Sequence, residues 1–101
     1  MNWRLHEAAR AELREAAIWY EAAERGLGEQ FLDEYDNAIE RILRAPKRFA
    51  KMETVRTRRN IRRCLVKRFP YYVAYEIKGD ELVVLAVAHS KRRPNYWIYR
   101  R

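Results

Sequence analysis

The sequence predicts an α+β domain, in which a helical hairpin packs on one face of a mostly antiparallel sheet in the order βααβββ. Apolar residues recur at helical spacing in the first half of the chain. In the second half they alternate or form unbroken runs, as in strands. With 101 residues the chain has the length of one domain, so we assign residues 1–101 to a single domain.

The first half predicts a short opening strand over residues 2–5 and then two helices. The first helix spans roughly residues 6–25, with Ala9, Leu13 and Ala16 on one face and Glu12 largely on the other. Glycines at 26 and 28 end it, because glycine tolerates the left-handed conformation common at helix ends. The second helix runs from about residue 29 to 44 and stops before Pro46. Such a short connection makes the helices an antiparallel hairpin.

The second half predicts three strands, over residues 60–68, 71–78 and 81–89. Residues 71–78 alternate, so we expect one covered and one more exposed face. Residues 82–88 are all apolar, which indicates a central strand buried on both faces. Gly79-Asp80 suits a tight hairpin between these two strands. We expect the sheet face opposite the helices, the basic connection and the tail to gather the arginines.

Charge is distributed unevenly along the chain. Residues 1–53 carry 9 Lys/Arg and 11 Asp/Glu, whereas residues 54–101 carry 13 Lys/Arg and 3 Asp/Glu, a net charge of +10. The basic half also holds dense apolar runs, so it is not a polar tail. A folded domain with this many cations needs an anionic partner to limit self-repulsion. We therefore expect it to bind nucleic acid or an acidic protein.

Several classes of protein are disfavoured by composition. No apolar run approaches the ~20 residues that span a bilayer, and the first residues lack the order of a signal peptide. The single cysteine, Cys64, allows no internal disulfide, which fits the cytoplasm. No Cys/His spacing suggests a metal site, and three glycines are too few for a nucleotide-cradling loop. We expect no cofactor, no metal and no membrane.

A first group of candidate binding residues lies at the start of the basic half. Arginine offers a planar fork that matches phosphate oxygens and stays charged near pH 7. Strand alternation divides the group between two faces, so it cannot form one continuous line. The alternative is a solvated surface with some arginines paired to the acidic helices. The group comprises Arg56, Arg58, Arg59, Arg62, Arg63, Lys67 and Arg68.

A second group follows the last strand. His89 ends the buried strand and can change protonation near neutral pH. Lys91, Arg92, Arg93 and Tyr96 follow within seven residues. The aromatic residues could stack on bases or hold the tail on the domain. The alternatives are a structural histidine and a Trp97 that covers the core.

Four stretches together resemble the RelE/ParE superfamily of toxins from bacterial type II toxin–antitoxin modules. The resemblance covers nearly the whole chain and implies the βααβββ fold. The stretches are residues 28–46 with Gly28-Glu29-Gln30-Phe31-Leu32, Arg62-Arg63-Cys64-Leu65-Val66-Lys67-Arg68-Phe69-Pro70-Tyr71, Val73-Ala74-Tyr75, and Val84-Leu85-Ala86-Val87-Ala88-His89 followed by Lys91-Arg92-Arg93-Pro94.

The resemblance implies two functions. ParE-like members poison DNA gyrase, and the acidic helical hairpin slightly favours this branch. RelE-like members are ribosome-dependent, metal-independent mRNA endoribonucleases. In that branch Arg63 and Arg92 would stabilise charge on the scissile phosphate, and His89 or Tyr96 would move protons. Arg56, Arg58, Arg59, Arg62, Lys67, Lys91 and Arg93 would then bind nucleic acid or the target.

The partner follows from the same resemblance. A toxin of this superfamily is held by an antitoxin whose tail folds on contact. Here the antitoxin should be acidic and amphipathic, and the complex a hetero-oligomer. A third possibility is a non-toxic basic nucleic-acid-binding module.

Overall fold

A computed structural model describes residues 1–52 and 58–101 of the chain. Arg56, one of the predicted binding residues, lies outside the described residues. The elements are β1 (Asn2–Leu5), α1 (Glu7–Ala23), α2 (Leu27–Arg44), β2 (Asn60–Val66), β3 (Tyr71–Lys78) and β4 (Glu81–His89). The predicted βααβββ order is confirmed.

Within the described residues the strands form one sheet in the order β1-β4-β3-β2. β1 runs parallel to β4, and the two other pairings are antiparallel. β4 is central and buried along most of its length, as its apolar run predicts. No helix in the described part of the chain is long and apolar enough to cross a membrane.

The boundary between the helices differs from the prediction. α1 ends at Ala23 and α2 begins at Leu27, two residues earlier than expected. Gly26 adopts a left-handed conformation with φ 87° and precedes the first turn of α2. The Glu21 side chain reaches from α1 and accepts hydrogen bonds from the backbone N–H groups of Gly26 and Gly28. One carboxylate thus satisfies the free amides at the start of α2.

The helical hairpin covers one face of the sheet. Its core includes an aromatic cluster in which Tyr20 and Phe31 of the helices meet Phe69 of the β2–β3 turn and Tyr71 of β3. Ring centroids lie 4.9 Å apart for Tyr20 and Phe69 and 5.0 Å apart for Phe31 and Tyr71. Phe69 and Tyr71 are therefore packing residues. Edge contacts of this kind join the β2–β3 turn to both helices.

The opposite face of the sheet is also covered, and two predictions about it are wrong. The C-terminal tail lies over it, and Trp97 packs with Tyr72, Val83 and Leu85 in a second apolar cluster. β3 is therefore buried on both faces, although its alternating sequence predicts an exposed one. This face is likewise not free to gather arginines, because the tail occupies it.

Gly28 allows α2 to approach α1 closely. A Cβ at this position would lie 2.5 Å from the backbone carbonyl oxygen of Ala17. We expect Gly28→Ala to destabilise the fold by up to about 2 kcal/mol, because overpacking costs roughly 1–3 kcal/mol and the gain in helix propensity offsets about 1 kcal/mol of it. Urea unfolding followed by circular dichroism measures this. Glu29→Ala, at the exposed next position, is the control and should change stability by less than about 0.5 kcal/mol.

Candidate functional site

A cleft opens between α1, the end of β4 and the tail. Its volume is about 320 Å³, and three of the four predicted catalytic residues line it, namely His89, Arg92 and Tyr96. Carboxylates also line it, because Glu12 and Glu15 of α1 face the tail. Cations, acids and aromatic rings therefore share one concavity.

A β-bulge decides which side chains of β4 face this cleft. Val84 pairs with Tyr75 and Ala86 pairs with Ala74, so Leu85 has no partner on β3. An extra residue of this kind inverts the alternation of the strand. As a result Val84 and Val87 both pack toward the helices, while Leu85 packs in the cluster under the tail. The bulge therefore turns His89, two residues after Val87, toward the helical side.

Side chains complete the edge of β4 where β1 stops. β1 ends at Leu5, which pairs with Val84. Beyond that point the Val87 N–H donates to Glu12 Oε1 at 3.0 Å, and Arg100 Nη1 donates to the Leu85 carbonyl at 3.0 Å. A helix and the tail thus satisfy backbone groups that a longer β1 would pair with.

Glu12 is the centre of this arrangement. Its side chain is 11% exposed and receives hydrogen bonds from Arg100 at 2.8 and 3.1 Å and from the Tyr96 hydroxyl. Arg92 Nη1 lies 3.5 Å from Glu12 Oε2. One carboxylate therefore binds two guanidinium groups, a phenol and a backbone amide, and it holds the tail against α1.

Tyr96 is held as a neutral hydrogen-bond donor. Burial, and then its hydrogen bond to Glu12, raise the pKa of the phenol above its ordinary value, while Arg92 and Arg100 oppose that rise. The Arg92 guanidinium stacks over the ring, with its carbon 3.9 Å from the ring centroid. Burial and the hydrogen bond to Glu12 outweigh the two guanidinium groups and disfavour a phenolate at neutral pH, so Tyr96 is poorly suited to act as a base.

His89 has one nitrogen engaged locally. Its Nδ1 accepts a hydrogen bond from the Lys91 N–H at 3.1 Å, so this nitrogen carries no proton in the neutral ring. The ring packs edge-on against Tyr71, with centroids 5.1 Å apart. The Arg92 N–H donates to the His89 carbonyl, which closes a turn directly after β4.

Arg63 is not brought together with the other predicted catalytic residues. It pairs with Ala74 on β3, while His89 pairs with Tyr71 on the far side of the same strand. The Cα atoms of Arg63 and His89 are therefore separated by two strand spacings and three residues, about 14 Å. Arg63 also alternates with Cys64, which packs toward the helices, so it lies on the opposite face of the sheet from His89.

The predicted binding cations are dispersed rather than gathered. Arg59 forms a two-pronged pair with the buried Glu76 at 2.9 and 3.0 Å, and it also binds backbone carbonyls of the tail. Arg62 donates to the carbonyls of Lys47 and Phe49. Arg68 lies 3.9 Å from Glu34 of α2. The exposed members are Arg58, Arg63, Lys67, Arg68, Lys91, Arg92 and Arg93.

Two carboxylates are important in the structure although the sequence pattern does not single them out. Helical periodicity predicts Glu12 largely on the solvent face of α1, yet Glu12 is three residues from Ala9 and four from Ala16, both buried. That spacing is the signal that puts it at the edge of the apolar face. Glu76 lies in an alternating strand and is 3% exposed. No pattern in the sequence marks it as the partner of Arg59.

The arrangement of two helices packed against a four-stranded mixed sheet is a RelE/ParE-like fold. A solved structure described as the chromosomal ParDE toxin–antitoxin system from P. aeruginosa matches it with a TM-score of 0.64 and 16% sequence identity. The match covers 90% of this chain and 97% of that chain. A search among curated proteins found no match.

The sequence carries the more particular assignment. A family model described as the ParE toxin of the type II toxin–antitoxin system parDE matches residues 3–94. The chain therefore belongs to the ParE toxin family.

Proposed function

We propose that this protein is a toxin that inhibits DNA gyrase in the cytoplasm and is neutralised by an acidic antitoxin. Family membership supports the toxin–antitoxin assignment. The gyrase target rests on the behaviour of the ParE-like branch, which the resemblance in sequence implies. The antitoxin is expected to form a hetero-oligomer with the toxin, and co-expression of the two should restore growth.

The position of Arg63 is the main observation that favours gyrase inhibition over RNA cleavage. Phosphodiester cleavage without a metal needs cations and proton-transfer groups around one phosphate. Arg63 lies on the other face of the sheet from His89. In the cleft itself Glu12 already engages Arg92 and Tyr96, and its negative charge opposes the approach of a phosphate. This arrangement supports a target-binding toxin.

One observation favours the alternative, a ribosome-dependent endoribonuclease. His89 and the exposed Arg92 line the same cleft, and the hydrogen bond at His89 Nδ1 leaves Nε2 of the neutral ring as the protonated nitrogen. A histidine and an arginine at the mouth of a cleft could donate a proton and bind a phosphate. Substitution of His89 therefore distinguishes a ribonuclease from a gyrase inhibitor.

The discriminating experiment uses purified protein in two assays. We expect inhibition of gyrase-catalysed supercoiling of plasmid DNA, and intact mRNA after incubation with translating ribosomes. If the mRNA were cut at defined sites while supercoiling stayed normal, the proposal of gyrase inhibition would be wrong and the protein would be a ribonuclease. Induction in cells without antitoxin adds a third readout, since unchanged growth with neither activity would indicate a non-toxic nucleic-acid-binding module.

The double variant Arg63→Gln/His89→Gln tests the same choice inside the cell. We expect growth inhibition to stay within about twofold of the unsubstituted protein, because neither side chain would serve catalysis. A cleaving enzyme would instead lose activity by a factor of about 100 or more. Growth curves after matched induction measure the effect, and circular dichroism checks that the variant is folded.

We further propose that exposed cations near the tail contact the target. Lys91 and Arg93 are exposed and follow β4 directly. Arg58 is exposed at the entrance to β2. Arg59 and Arg62, by contrast, form internal hydrogen bonds, so their replacement would affect stability before it affected binding.

A further inference from the structure

A separate cluster of cations spans the last turn of α2 and the segment after it, far along the chain from the tail cleft. Residues 41–51 contain five Lys/Arg and no Asp/Glu, although residues 1–53 as a whole are acidic. Among the described residues, none of these five forms an ion pair with a carboxylate. The cluster comprises Arg41, Arg44, Lys47, Arg48 and Lys51.

Three of these cations line a second cleft, of about 380 Å³, which we call the arginine pocket. Its lining is Arg41, Arg44, Ala45, Arg48 and Phe49. Arg44 and Arg48 are exposed and Arg41 is half-buried. One wall is therefore a set of guanidinium groups and the other a small apolar surface.

The backbone beneath the arginine pocket is fixed by hydrogen bonds from the sheet. Tyr75 donates its hydroxyl to the Pro46 carbonyl at 2.6 Å. Arg62 donates to the carbonyls of Lys47 at 2.9 Å and Phe49 at 2.6 Å. These three hydrogen bonds fix the backbone of residues 46–49, from which Arg48 extends, before a ligand arrives. Preorganisation of this kind lowers the cost of binding.

Arg41 gives the pocket a cation that the fold itself leaves incompletely bonded. Its Nη2 donates to the Leu65 carbonyl at 3.1 Å, which pins the side chain between α2 and β2. Its Nε is buried and has no hydrogen-bond partner among the described residues. Interaction with the helix dipole accounts for cations in the last turn of α2, which holds Arg41 and Arg44. It does not account for Arg48, which lies beyond the helix.

We propose that the arginine pocket binds the phosphodiester backbone of a nucleic acid. Guanidinium forks bind phosphate oxygens two at a time, and several cations along one segment can follow successive phosphates. An acidic peptide is the less favoured ligand, because only two of the five lining residues are apolar, and these are the small Ala45 and the half-buried Phe49. This inference goes beyond gyrase inhibition and is tested without gyrase.

The test is fluorescence anisotropy of a labelled duplex DNA, titrated with purified protein at several salt concentrations. In Arg44→Gln/Arg48→Gln we expect affinity at low salt to fall about tenfold or more. The slope of log K against log salt should decrease in magnitude by about 2, since each phosphate contact contributes roughly 0.9. The two side chains are exposed, so the variant should fold, and circular dichroism checks this.

The matched control removes two charges elsewhere, in Arg25→Gln/Lys78→Gln, which are exposed and outside the pocket. It should keep the affinity within about threefold and largely keep the salt slope. Equal losses in the two double variants would overturn the proposal in favour of net charge alone. Competition by polyglutamate as effective as that by unlabelled DNA would overturn it in favour of an acidic protein. If inorganic phosphate displaced the labelled DNA as effectively as unlabelled DNA at the same concentration of phosphate groups, the pocket would bind anions in general, and the proposal would be overturned.

If Arg44→Gln/Arg48→Gln fails to fold, amide chemical shifts of the unsubstituted protein decide the question. On addition of duplex DNA the amides of residues 44–49 should shift before those of the tail. Shifts confined to residues 89–96 would place the contact at the tail and contradict the proposal.

Discussion

Glu12→Ala should cost about 3–4 kcal/mol of the free energy of unfolding, more than any other single carboxylate on the helical hairpin. The substitution leaves the half-buried Arg100 without its partner at 2.8 Å, and it removes the acceptor of the Tyr96 hydroxyl and of the Val87 N–H. Loss of one member of a buried pair typically costs 3–5 kcal/mol, because the remaining charge stays desolvated. Denaturant unfolding at neutral pH measures the change.

Glu15→Ala is the matched control, since Glu15 is exposed on the same helix and lines the same cleft. We expect it to change stability by less than about 0.5 kcal/mol. Glu12→Gln keeps the shape and one acceptor oxygen but not the charge, so it should fall between the two. If the Glu12→Ala variant were as stable as the Glu15→Ala variant, Glu12 would not be the residue that holds the tail in place.

The elements of this fold were predictable because each has a local cause in the sequence. The bounds of β3 and β4 match the prediction, since Gly79-Asp80 interrupts two dense apolar runs. α2 ends at Arg44 as Pro46 requires. The predicted start of α2 is two residues late, because a glycine at position 28 is typical of a turn. In the structure Gly28 lies inside the helix, where it permits contact with α1.

The faces of the strands were much harder to predict than their bounds. β4 is apolar at every position from 82 to 88, so its sequence contains no alternation from which a face could be assigned. The bulge at Leu85 then inverts the alternation within the strand. Whether Arg63 and His89 meet depends on that bulge and on the pairing of three strands. Neither feature can be derived from one sequence.

The pairing of arginines in the basic half with glutamates of the same chain could not be predicted from the sequence either. The charge imbalance between the two halves suggests a continuous cationic surface, yet Glu12, Glu34 and Glu76 each lie within 4 Å of an arginine of the basic half. The cations that remain without a carboxylate among the described residues include those in and after the last turn of α2, in the half that is acidic overall. Net charge along a sequence therefore indicated an anionic partner without indicating where it binds.

Trp97→Ala should destabilise the protein by about 3–5 kcal/mol and loosen the tail. The Trp97 side chain is 0% exposed and packs with Tyr72, Val83 and Leu85 over the sheet. Its indole N–H also donates to the Tyr72 hydroxyl at 3.1 Å. Truncation of a buried tryptophan leaves a cavity between the tail and the sheet, because the surrounding structure relaxes only partly into the vacated space. The free energy of unfolding of a typical domain is only about 5–15 kcal/mol, so the variant should be marginally folded at 37 °C.

Two further substitutions separate the causes of that loss. Trp97→Phe keeps an aromatic ring but removes the hydrogen bond to Tyr72, so we expect a smaller loss of about 1–2 kcal/mol. Tyr99→Ala removes a ring that is 91% exposed two residues later, and it should be nearly neutral. Thermal unfolding and hydrogen exchange of the β4 amides measure stability and tail docking together. If Trp97→Ala lost stability while exchange at the Val87 amide stayed unchanged, the tail would be held by Glu12 and Arg59 without help from the tryptophan.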